Sequence, residues 1–146
     1  MIDQKDRKIL NCLIDDARQS YREVAKKTGL SIVTVMKRVR ALQKDGIIKQ
    51  FTAMVDYEKL GFDLHAVIEL EANKGMIPDL ERFIAAQPNI SRMFMVTGHV
   101  DAIAFGHFRN RRELERFIMT ANQHPSVTNT VTRVVLSLTK DIRVKV

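Results

Sequence analysis

Residues 20–46 read SYREVAKKTGLSIVTVMKRVRALQKDG, and this stretch decides the fold. Ser20 and Glu23 stand in S-x-x-E spacing. In such a capping box the serine accepts from the backbone three residues on, and the glutamate reaches back. A helix is expected from there to about Thr28, with Gly29 in the left-handed position that ends it. Ser31 is placed to cap another helix, along which Val35, Val39 and Leu42 recur at i, i+4, i+7. Asp45-Gly46 stops that helix. Only Gly29-Leu30 separates the two, and a turn this short with glycine marks a helix-turn-helix. Ala25 supports the pattern, since a small residue is needed where helices cross closely. A generic three-helix bundle is the alternative. Toward the N-terminus, Asp3 can cap a first helix that carries Ile9, Leu10, Leu13, Ile14 and Ala17 on one face.

Toward the C-terminus the periodicity turns strand-like. Residues 47–55, IIKQFTAMV, are rich in β-formers and are expected as a wing or linker strand, with Gly61 closing the joint. The remainder reads β-α-β-β-α-β. Strands are expected at about 64–71, 90–97, 102–108 and within 129–138. Helices are expected near 78–86 and around Leu114, Phe117, Ile118 and Ala121, the second ending at His124-Pro125. This is the ferredoxin-like order, with both helices on one side of an antiparallel sheet. The fold class is therefore α+β: a winged helix-turn-helix domain over 1–50, a linker strand or hinge over 51–62 and a ferredoxin-like domain over 63–146. Several strands look apolar on both faces: Met93 and Met95 oppose Phe94 and Val96, and Ile103 and Phe105 oppose Ala102, Ala104 and Phe108. Helices cover only one face, so the other is expected to pack on a second copy in a two-fold dimer.

Charge divides the chain in the same place. Of 146 residues, 24 are Lys or Arg and 17 Asp or Glu, a net charge of +7. Residues 1–50 hold 12 basic and 6 acidic side chains, or +6, and residues 51–146 hold 12 and 11, or +1. A basic head on a near-neutral body suggests a polyanion binder, nucleic acid above all. Apolar runs such as Ala102–Phe105 are too short to span a membrane. The charged start lacks the apolar region of a signal peptide. The single cysteine, Cys12, excludes an internal disulfide framework, so a cytoplasmic, reduced protein is expected. His65, His99, His107 and His124 show no helical metal spacing, and G-x-G-x-x-G, P-loop and nucleophile-elbow motifs are missing. No metal, cofactor or catalytic residue is expected.

The order helix-turn-helix, linker strand, β-α-β-β-α-β resembles the Lrp/AsnC family of bacterial and archaeal transcription regulators, also called feast/famine regulatory proteins. The residues that carry the resemblance are DRKIL at 6–10, VAKKTGLS at 24–31, KRVRALQKDGII at 37–48 and TGHVD at 97–101, the family's G-x-x-D turn. The resemblance covers essentially the whole chain. It implies a DNA-binding domain, a dimerising sheet domain, assembly of dimers into tetramers or octamers, and an amino acid bound where dimers meet. Many members have proline soon after the serine that opens the third helix. Ile32 and Val33 stand there instead.

With Val35, Val39 and Leu42 inward, Ser31, Thr34, Lys37 and Arg38 are the candidates for the major groove, where N-terminal residues of a docked helix meet base edges. Arg38 is suited to a guanine edge, to a phosphate, or to a structural salt bridge. Arg40, Lys44 and Lys49, with Arg22 and Lys26 on the second helix, are candidates for phosphate contacts or for plain solvated surface. At the 97–101 turn, Asp101 is suited to accept from an ammonium, and the N–H groups of Gly98, His99 and Val100 to donate to a carboxylate. The family resemblance adds Met95, Val134 and Val135 as positions linked to effector response. The competing reading has Asp101 pinning a turn and those three filling an interface. Two alternatives to a sequence-specific regulator stand: an enzyme similar to siroheme decarboxylases on the same scaffold, and an architectural DNA-wrapping protein.

Overall fold

The computed structural model describes residues 2–146. The chain forms two compact units: one comprises the described residues up to Met54 together with Lys140–Val146, the other Val55–Thr139.

The first unit is three helices: α1 (Gln4–Asp15), α2 (Tyr21–Thr28) and α3 (Ile32–Lys44). Ser20 and Glu23 form the expected capping box on α2, and Gly29 ends it at φ 71°. Ile9, Leu13, Val24, Ala25, Val35 and Val39 make the core, with Cys12, Leu30 and Ile48 packed against it. Helix α1 stops at Asp15, so Ala17 falls outside it and is exposed.

The expected wing strand is not formed. Ile48 reaches the core, but residues 49–56 take no regular structure, and Phe51, Met54 and Val55 are exposed. β-propensity alone does not make a strand, because backbone donors and acceptors need a ladder partner. The C-terminus also departs from the expected 63–146 domain. Val146 exchanges two hydrogen bonds with the side chain of Asn11, at 2.7 and 2.9 Å. Lys145 pairs with Asp15 at 2.8 Å, so the tail is tied to α1.

In the second unit a short 3-10 turn (Glu58–Leu60) precedes β1 (Leu64–Ala72), α4 (Ile77–Ala85), β2 (Ile90–Met95), β3 (Ala102–Phe108), α5 (Arg111–Gln123) and β4 (Val127–Val134). The sheet order is β2-β3-β1-β4, with every pair antiparallel. Strand β4 starts two residues before the expected window, where the β1–β4 register shifts between Glu71 and Ala72. One face of the sheet is a closed core: Ala66, Ile68, Leu70, Ala102, Ala104 and Phe108 pack against Leu80 and Ile84 of α4 and Leu114, Phe117 and Ala121 of α5.

The opposite face is less uniformly apolar than the sequence suggests. Its rows, read through the register, are Phe94–Ile103–Glu69–Val131 and Arg92–Phe105–Val67–Arg133. Phe94 is 55% exposed. Between the rows Arg133 makes a two-pronged ion pair with Glu69, at 3.0 and 3.1 Å. This face is an apolar centre crossed by a charged pair.

Gly106 marks a tight point in the core. A Cβ there would lie 2.7 Å from the ring of Phe108 and 3.0 Å from Ile90 Cδ1. Phe108 is fully buried, so its ring can yield only by displacing other core side chains. Gly106→Ala is expected to destabilise the sheet unit by about 1–3 kcal/mol through overpacking, measured by urea denaturation.

Candidate nucleic-acid interface and ligand-binding turn

Burial of Val35, Val39 and Leu42 fixes which way α3 faces. Exposed on α3 are Ile32, Val33, Lys37, Arg40, Ala41, Gln43 and Lys44, and positions 33, 37, 40 and 44 follow one another at helical spacing. Lys49 is exposed just beyond the helix, as are Arg22 and Lys26 on α2. Among the described residues none of Lys37, Arg40, Lys44 or Lys49 has an ion-pair partner, so their charge is available to an incoming polyanion.

Three of the expected groove residues are already engaged. The Ser31 hydroxyl accepts from the Thr34 backbone N–H at 3.1 Å, and the two hydroxyls lie 2.8 Å apart. Arg38 is engaged as well. Its Nη1 donates to both carboxylate oxygens of Asp3 and to Asp6 Oδ1, each at 2.8 Å. Arg38 thus bolts α3 to the start of α1, making the structural salt bridge that the sequence offered beside a base or a phosphate contact.

Asp3 and Asp6 are held there by a reciprocal capping box of their own. Asp6 N–H donates to Asp3 at 2.9 Å, and Asp3 N–H to Asp6 at 3.0 Å. Two carboxylates so close need a cation, and Arg38 supplies it. The Asp6 backbone N–H, followed by the Arg38 guanidinium, holds the Asp3 carboxyl below its ordinary value. Asp6 and then Asp3 hold the Arg38 guanidinium above its own.

The 97–101 turn is also partly built. Asp101 Oδ2 accepts from the Ala72 N–H at 2.7 Å, and Asp101 N–H donates to Leu70 O at 3.0 Å. Asp101 O accepts from Val96 N–H at 3.0 Å. One carboxylate oxygen therefore pins the turn to the end of β1. Thr97, Gly98 and His99 are exposed, Gly98 with φ 128°, and Val100 is half-buried.

Met95 is exposed and pairs with Ala102 beside this turn. Val134 pairs with Ala66, toward the far end of β1, on the opposite edge strand. Val135 follows it, donating to His65 O at 2.8 Å. A single chain therefore brings Met95 and Gly98–Asp101 together but leaves Val134 and Val135 remote.

The histidines are less scattered than their positions in the chain suggest. The strand register pairs His65 with His107, their Nδ1 atoms 2.9 Å apart, and His107 Nε2 lies 2.9 Å from Ser91 Oγ. Tyr57 stacks on His107 at 3.8 Å. The signal was present as even spacing along two antiparallel strands, but it is visible only once the register is known. Among the described residues no group of three or more His, Cys, Asp or Glu side chains is placed to hold a metal ion. Among them no helix is long and apolar enough to cross a membrane.

Residues 2–49 match the family model for winged helix-turn-helix DNA-binding, and residues 65–144 match that for the Lrp/AsnC ligand binding domain. The chain belongs to the Lrp/AsnC family. A helix-turn-helix-type transcriptional regulator of Pyrococcus furiosus is 39% identical over 140 residues, which is 96% of this chain and 95% of that protein. The transcriptional regulator FL11 of Pyrococcus horikoshii is 33% identical, over 96% of this chain and 93% of its own. B. subtilis LrpC superposes with a TM-score of 0.87 at 31% identity, covering 96% of this chain and 98% of that one. A Neisseria meningitidis regulator solved with L-methionine shares the fold, with a TM-score of 0.92 at 24% identity over 97% of this chain and 94% of that one. The helical unit is thus the DNA-binding part of a transcriptional regulator, and the sheet unit is its ligand-binding part.

The Asp3–Arg38 contact has a consequence for pH dependence. A carboxyl held low in the fold contributes stability that is present above its ordinary range and is lost as pH falls through the lowered value. Arg38→Met is therefore expected to lower the melting temperature of the helical unit at neutral pH. The gap to the unsubstituted chain should narrow as pH falls below the ordinary aspartate range and through the lowered value of Asp3. Melting curves at a series of pH values read this directly.

Proposed function

We propose that this chain is a sequence-specific transcriptional regulator that acts as a dimer, joining into tetramers or octamers, and whose DNA binding responds to an amino acid. The observation that carries the reading is the exposed basic row Lys37, Arg40 and Lys44 on a helix whose rotation is locked from behind. Lys49, Arg22 and Lys26 extend the same charge for phosphates. The apolar centre of the open sheet face, around Phe94, Ile103, Phe105 and Val67, is the surface for self-association. A two-fold pair of heads fits half-sites spaced by one helical turn of DNA. Such a regulator works in the compartment that holds the DNA, the cytoplasm.

Met95 with Gly98, His99, Val100 and Asp101 is the proposed effector turn. The exposed backbone of Gly98 and His99 can meet a carboxylate, and the second oxygen of Asp101 an ammonium. Val134 and Val135 join such a site only from a neighbouring copy, which suits a ligand held between subunits. The L-methionine complex of the Neisseria relative supports an amino-acid ligand.

If a dimer neutralises about six to eight phosphates, log K falls against log salt with a slope of roughly −5 to −7. Lys37→Ala is expected to weaken binding on every sequence and to make that slope shallower by about 2 per dimer. Arg38→Met is expected to leave the slope unchanged at temperatures where the chain stays folded. Fluorescence anisotropy on duplex DNA at several salt concentrations measures all three. A slope near zero contradicts the proposal. Calorimetry with each of the twenty amino acids tests the effector, and binding by none contradicts that part.

A further inference from the structure

The first turn of α3 carries two side chains that the helical unit does not use. Ile32 is 45% exposed and Val33 55% exposed, outside the core formed with α1 and α2. Val33 lies one turn before Lys37, on the same outward side as the basic row. Both are β-branched hydrocarbons with neither donor nor acceptor.

The polar groups around them are committed. Ser31 and Thr34 hold each other, and Arg38 holds Asp3 and Asp6. The helix sequence IVTVMKRVRALQK has no asparagine and no glutamine before Gln43, in its last turn. The side chains suited to adenine edges are thus missing from the leading end, and Arg38 is turned inward, which leaves Lys37 and Arg40, a turn or more further on, as the outward cations. In the major groove the one apolar feature of a base edge is the C5-methyl group of thymine.

We infer that Ile32 and Val33 read thymine methyl groups, so that the leading turn of α3 selects A·T steps by apolar contact while Lys37, Arg40 and Lys44 hold the phosphates. The inference rests on the proposed DNA contact of α3 and adds to it the chemistry of selection. Charge supports this occupant: a hydrocarbon pair at the head of a cationic row suits a polyanion that presents methyl groups, and suits a neutral apolar partner poorly.

The test replaces thymine by deoxyuridine, which removes the methyl group and keeps every hydrogen-bonding atom. The probe is a duplex enriched from a random pool by the unsubstituted protein, with its thymines exchanged one position at a time. At one or two positions in each half-site, affinity is expected to fall about threefold to tenfold, the scale of one buried methyl. The Ile32→Ser/Val33→Ser variant should bind thymine and deoxyuridine duplexes equally. Serine is well tolerated in a first helical turn, and circular dichroism checks the fold. Equal binding of all deoxyuridine duplexes by the unsubstituted protein overturns the inference and leaves the DNA reading standing. So does a thymine preference that survives in the folded double variant. Failure to enrich any duplex overturns the DNA reading and this inference together. The deoxyuridine series needs only the unsubstituted protein, so it can overturn the inference even if the serine variant does not fold, and Ile32→Ala/Val33→Ala, with a strong helix former at both positions, then carries the assignment.

Discussion

The seating of α3 against α1 and α2 governs everything the helical unit does. Val35, Val39 and Leu42 point into the unit, and full burial of such side chains contributes about 1.5–3 kcal/mol each, as an upper estimate. The Arg38 contact with Asp3 and Asp6 lies nearer the surface, where an ion pair stabilises little. Its value is geometric. Hydrogen bonds from one guanidinium nitrogen to the carboxylates of Asp3 and Asp6 fix the rotation that the apolar residues select, and they offset part of the charge of two neighbouring carboxylates. Lys37, Arg40 and Lys44 are left facing outward as a consequence of what Val35, Arg38 and Val39 do on the other side.

The sheet unit follows a different logic. One face closes on its own helices, so a single chain completes that core. The other keeps Phe94 and Val131 exposed around the Glu69–Arg133 pair. The proposed effector positions are divided likewise: Met95 and the 97–101 turn sit at one corner of the sheet, and Val134 and Val135 at the opposite edge. Both features suit the self-association proposed above.

What was legible in the sequence was what local spacing encodes. Ser20 with Glu23, Gly29, Ser31 and the row Val35, Val39 and Leu42 declare their helices, because caps and faces repeat within one or two turns. Strand β3 was legible to the residue. The pairing of Arg38 with Asp3 was not: the partners lie 35 positions apart, and no periodicity links them. The cross-strand meeting of His65 and His107 waited on register in the same way. The strand expected at 47–55 failed for the converse reason, since its residues suit a strand but among the described residues no second strand pairs with them. Asp101 was singled out as an ammonium acceptor or a turn pin, and only the fold shows that one of its oxygens is spent on Ala72. The basic patch was legible as a surplus of charge, and burial then sorted it into a used arginine and an available row.

The most direct measurement of the account's central claim is lysine acetylation of the full chain, followed by mass spectrometry, with and without bound duplex DNA. Lys37 and Lys44 should lose reactivity when DNA is bound, while Lys59 and Lys74 of the sheet unit react as before. Unchanged reactivity of Lys37 and Lys44 in a saturated complex would contradict the outward seating of α3 on which the whole account stands.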